Sequence, residues 1–101
     1  MKYSIMFLIF ISSFLTAKPK FTDQQIAGMT PKYFKRNHTA PKLKGLKIYK
    51  EGNQRIYYIE IIADRNRSNE DLSFAVSALA NMGQYAKKPF NKYVVVMHYN
   101  V

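Results

Sequence analysis

Two rhythms of apolar and polar positions run through the second half of the chain. From Leu46 to Tyr49 and from Arg55 to Ile62, β-branched and aromatic residues dominate, and Glu51-Gly52-Asn53-Gln54 separates the two runs. That pattern predicts a β-hairpin. In the second run Ile56, Tyr58, Glu60 and Ile62 point one way and Tyr57, Ile59 and Ile61 the other. Neither face is wholly polar, so the strand is read as a central one. The period then changes. Leu72, Ala75, Val76, Leu79, Met82 and Gly83 recur at helical spacing, which predicts a helix from about Asn69 to Tyr85. Ser68, with Asp71 three residues on, is its expected N-cap. After a break at Lys87-Lys88-Pro89-Phe90-Asn91, the almost continuously apolar run Tyr93–Tyr99 predicts a strand buried on both faces. The order β, β, α, β with a right-handed crossover gives an α+β domain over residues 46–101. Its expected form is a small three-stranded sheet with one long helix packed on one face.

Residues 18–45 read differently, as a basic N-terminal segment and linker. Thr22 with Gln25 has capping-box spacing, and Gly28 is expected to end that helix within two turns. Thr30-Pro31 offers a second start, for a turn through Tyr33-Phe34-Lys35. Neither turn is long enough to stand alone. Phe21, Ile26, Met29, Tyr33 and Phe34 must therefore either dock on the domain, covering the sheet's second face, or stay exposed as anchors. Residues 37–45 show no apolar period and read as linker.

At the N-terminus, Lys2 precedes an eleven-residue apolar stretch from Ile5 to Leu15 that leads into Thr16-Ala17. As a helix this stretch is about 16 Å long, half of a hydrocarbon core of about 30 Å. It reads as a secretory signal peptide over residues 1–17, with a retained membrane anchor as the alternative. Export is the expectation, to a periplasm or beyond. The absence of cysteine suits a bacterial periplasm better than a eukaryotic extracellular space, where small domains lean on disulfides.

Composition sharpens the picture. The 101 residues hold 16 Lys+Arg against 6 Asp+Glu, a formal net charge of +10. Residues 18–50 carry nine basic side chains against Asp23 alone, hence +8, whereas residues 51–101 carry six against five, hence +1. Without cysteine, thiolate metal sites and thiol nucleophiles are excluded. The two histidines stand sixty residues apart with no carboxylate at ligand spacing, and Gly28, Gly45, Gly52 and Gly83 are isolated. No metal and no cofactor is expected.

Two chemistries remain. The aromatic-interleaved run Lys32-Tyr33-Phe34-Lys35-Arg36, with Lys42 and Lys44 behind it, has the composition of a surface for polyanions. For an exported protein these are the anionic envelope surface or an acidic protein, with nucleic acid a weaker candidate and the membrane reached only through an uncleaved leader. The expectation is a non-catalytic binding or accessory protein of a bacterial envelope. Its alternatives are a small secreted hydrolase of ribonuclease-like toxin type, with His98 and Glu60 as acid and base and Lys47 and Arg55 for developing charge, and an inhibitor or immunity-type protein for an acidic partner. His38 falls in the linker and reads as solvated.

Overall fold

The computed structural model describes residues 3–11 and 21–100, the first nine and Asn100 by their backbone alone. The elements are β1 (Tyr3–Ile11), α1 (Asp23–Arg36), β2 (Lys42–Glu51), β3 (Gln54–Ala63), a 3-10 turn (Arg65–Arg67), α2 (Ser68–Gly83) and β4 (Lys92–Asn100). The protein is α+β. Strands β2, β3 and β4 form a mixed sheet, β2 antiparallel and β4 parallel to β3. β1 adds a fourth strand, antiparallel to β4, in the order β1-β4-β3-β2. The leader cleavage site expected after Ala17 lies outside the described residues.

The hairpin turns on Gly52, whose φ of 61° is one that side chains resist. β2 begins at Lys42, four residues earlier than the apolar pattern suggests. Leu43 pairs with Ile61 and Gly45 with Glu60, and Lys44 is the extra residue of a β-bulge between them. The bulge hides the alternation, so Lys42-Leu43-Lys44-Gly45 reads as linker although it is strand. Only residues 37–41 connect α1 to β2.

α1 is the largest departure from the sequence reading. In place of two short turns there is one helix of 14 residues that continues through Gly28 and Pro31. The Thr22–Gln25 capping box forms, each side chain bonding the other's backbone N–H at 3.2 and 2.9 Å. Docking carries the helix past its breakers. Ile26, Thr30 and Phe34, at successive i+4 positions, are buried, and burial outweighs the local cost of glycine and proline. The Thr30 hydroxyl bonds the Ile26 carbonyl at 2.7 Å inside this contact.

α1 lies on the same sheet face as α2, not on the opposite one. A single core cluster unites Ile26 and Phe34 of α1 with Ala75, Leu79 and Met82 of α2 and with Tyr57, Ile59, Val95 and Met97 of the sheet. A helix about 10 Å wide covers two strands spaced about 4.8 Å apart, so one helix leaves part of a three-stranded sheet uncovered. α2 packs on β3 and β4, and α1 fills the remaining place beside β2. Gly83 lets α2 approach closely, because a Cβ there would meet the Tyr93 hydroxyl at 2.5 Å. The helix start also differs from expectation: no side chain caps α2. Asp71 is buried and accepts the Asp64 N–H at 3.0 Å, while Asp64 caps the 3-10 turn through Asn66 N–H at 2.9 Å.

Candidate functional site

The basic segment, folded as α1 and the start of β2, encloses a groove of about 530 Å³. α1 supplies Pro31, Phe34 and Lys35 to one wall, positions one helical turn apart on one face. The other wall is the connection and strand from Ala40 to Leu46. The floor is apolar, made by Phe34, Pro41, Leu43 and Leu46, and the rim carries Lys35, Lys42 and Lys44, all exposed. Among the described residues Lys35 and Lys42 form no salt bridge. Lys44 stands near enough to Glu60 to help hold its carboxyl down.

The structure brings together four of the seven binding candidates: Phe34, Lys35, Lys42 and Lys44 line the groove, and Lys32, Tyr33 and Arg36 do not. Phe34 is 5% exposed and meets Phe74 edge-on at 5.2 Å, so it is floor rather than a free anchor. Tyr33 is half-buried and turned towards α2, its ring 5.7 Å from Phe74 and its hydroxyl accepting from Asn81 Nδ2 at 3.2 Å. Lys32 and Arg36 are exposed on the outer side of α1. Pro41 and Leu43, which with Leu46 give the groove its apolar character, escape sequence reading because the bulge and the apparent linker obscure their register.

The helix-free face of the sheet carries a second polar arrangement. Lys47 Nζ sits 4.7 Å from the Tyr58 ring centre. Tyr58 donates to Glu60, and Glu60 Oε1 meets His98 Nε2 at 2.6 Å. Parallel pairing of β3 and β4 produces this contact, because Glu60 lies opposite Val96 and Ile62 opposite His98. The His98 hydrogen bond, aided by Tyr58 and by the charges of His98 and Lys44, holds the Glu60 carboxyl below the usual carboxylate range, against the effect of burial. Burial and the bond to Glu60 push the Tyr58 hydroxyl up to about 12. His98 and Glu60 therefore converge, but the His98 ring is nearly closed off at 7% exposure and its Nε2 is already engaged.

Of the two cations expected beside that pair, Lys47 lies on the same face over Tyr58, and Arg55 is used elsewhere. Arg55 forks onto Asp23 at 2.6 and 3.0 Å, bonds the Lys88 and Pro89 carbonyls, and lies over Phe90. The fork holds the Asp23 carboxyl below its usual range and fastens the start of α1 to the hairpin. His38 is exposed beside a small pocket that includes Asp64 and Arg67. Among the described residues no cluster could hold a metal ion, and no helix is long and apolar enough to cross a membrane. Comparison with protein-family models, with curated proteins and with solved structures finds no match to this chain.

Proposed function

We propose that this chain is an exported, non-catalytic binding or accessory protein of a bacterial envelope that engages an anionic surface or an acidic partner through the groove between α1 and β2. In this reading residues 1–17 are a leader, and the exported chain is a basic helix set on a ββαβ unit. The observation that carries it is an apolar floor rimmed by Lys35, Lys42 and Lys44, where floor and rim suit a ligand that is apolar and anionic at once. The plain alternative, lysines that only solubilise, predicts no preference for the groove.

The test is titration of the exported protein with phosphatidylglycerol vesicles, phosphatidylcholine vesicles and polyglutamate at about 50 mM salt, where exposed charges still act over roughly 14 Å. Binding to an anionic probe that weakens as salt rises supports the reading. Retention on none of them contradicts it.

The 2.6 Å contact of His98 and Glu60 favours one second reading, a small hydrolase using that pair. Such an enzyme loses its turnover of ribonucleic acid or ester substrates in both the Glu60→Gln and the His98→Gln variants. Equal, background-level hydrolysis by wild type and variants removes it.

A further inference from the structure

The groove runs along an open sheet edge, and this narrows the kind of partner it accepts. β2 is the terminal strand in the order β1-β4-β3-β2. Which of its backbone groups face outwards follows from Arg55. The Arg55 N–H bonds the Asn91 side chain and the Arg55 carbonyl accepts the Asn91 N–H, both at 2.8 Å. Arg55 thus turns its backbone away from its partner Lys50. In an antiparallel ladder such pairs alternate with hydrogen-bonded ones. Leu46, Ile48 and Lys50, opposite Ile59, Tyr57 and Arg55, therefore direct N–H and C=O groups out of the sheet edge.

We propose that an extended segment of an acidic partner protein, with apolar and acidic residues alternating, adds as a further strand on β2 beneath α1. The inference rests on the binding reading above and specifies its partner. An added strand continues the two faces of the sheet. On the helix side its residues meet Leu43 and Leu46, which lie opposite Ile61 and Ile59 in the core layer, and beyond them Phe34 and Pro31. On the other side they meet Lys42 and Lys47, opposite Ile62 and Tyr58. Apolar residues suit the first set and carboxylates the second. A second copy of this chain does not fit: pairing β2 with itself brings Lys42, Lys44, Lys47 and Lys50 against their own kind, the arrangement by which edge strands resist self-association.

The experiment uses the exported chain and three synthetic heptapeptides: one alternating glutamate and valine, one alternating lysine and valine, and a copy of the first with alternate backbone nitrogens methylated so that one edge no longer donates. The glutamate–valine peptide is expected to bind at least tenfold more tightly than either control. It is also expected to slow hydrogen exchange at the Leu46, Ile48 and Lys50 amides, which exchange freely in its absence. Reversing the two lysines that face the added strand's carboxylates, in K42E/K47E, should exchange the preference for the glutamate peptide for one for the lysine peptide. Equal binding of methylated and unmethylated peptides, or unchanged exchange at the three amides, overturns strand addition. Binding of phosphatidylglycerol vesicles without binding of the acidic peptide also overturns it while leaving the anion-binding reading intact; binding of neither probe removes both.

Discussion

The hydroxyls of Thr30 and Tyr57 share a hydrogen bond of 2.5 Å inside the core, joining α1 to the central strand β3. Thr30 also bonds the Ile26 carbonyl at 2.7 Å, whereas among the described residues the Tyr57 hydroxyl has beyond Thr30 only the weak acceptor Met82 Sδ at 3.9 Å. The two ends are therefore unequal. Tyr57→Phe leaves Thr30 satisfied and should cost about 1 kcal/mol, while Thr30→Val strands a buried phenol and should cost about 1–3 kcal/mol. Thermal melting checks this order, at roughly 4–8 °C per kcal/mol for a chain of this size. Equal melting temperatures for both variants and wild type contradict the contact.

Leu79 is fully buried at the middle of the α2 stripe. Leu79→Asp places an unpaired charge there, at a cost of several kcal/mol, comparable with the whole stability of a small domain. Ser73, on the exposed side of the same helix, should accept aspartate within about 0.5 kcal/mol. Circular dichroism at room temperature should show Leu79→Asp unfolded and Ser73→Asp folded.

Acid should weaken the fold through Glu60. Its carboxyl is held below the ordinary glutamate value of 4.5, chiefly by the His98 hydrogen bond, so the native state binds the Glu60 proton less readily than the unfolded chain does. A depressed carboxyl contributes stability that is present above the unfolded value and is lost as pH falls through the lower native value. The gap in melting temperature between wild type and Glu60→Gln should accordingly be widest near neutral pH, begin to narrow below about pH 4.5 and close as pH falls through the lower native value. A gap that stays constant down to pH 3 would show that the carboxylate makes no charged contact.

Processing follows from the apolar run Ile5–Leu15 and from Ala17. Intact mass of the exported protein is expected to begin at Lys18. Full-length chain retained in the membrane would support an anchor instead.

The parts of the fold that follow from local pattern could be read directly: the hairpin around Gly52, the α2 stripe and the β4 run. α1 could not, because Gly28 and Pro31 are stop signals and only the tertiary contacts of Ile26, Thr30 and Phe34 overrule them. The start of β2 was hidden by the bulge at Lys44, which breaks the two-residue period. β1 is drawn from a stretch whose composition points to a leader, and apolar β-branched residues serve either use. At the candidate site the lysines were visible as charge, but their grouping was not. Lys35 and Lys42 reach one groove because the 37–41 connection turns back, whereas Lys32, three residues from Lys35, faces elsewhere.

That difference allows the most direct test of the groove. K35E/K42E and K32E/K87E change net charge equally, and all four residues are exposed, but only Lys35 and Lys42 line the groove. A lysine beside an anionic surface contributes on the order of 1 kcal/mol, so losing two groove lysines should weaken polyglutamate binding about 30-fold. Dissociation constants are measured for wild type and both variants at one low salt concentration, with melting temperatures confirmed to be unchanged. The groove pair should lose at least that factor and the outer pair less than about threefold; equal losses in both would mean that anions respond to overall charge and that the groove is not their site.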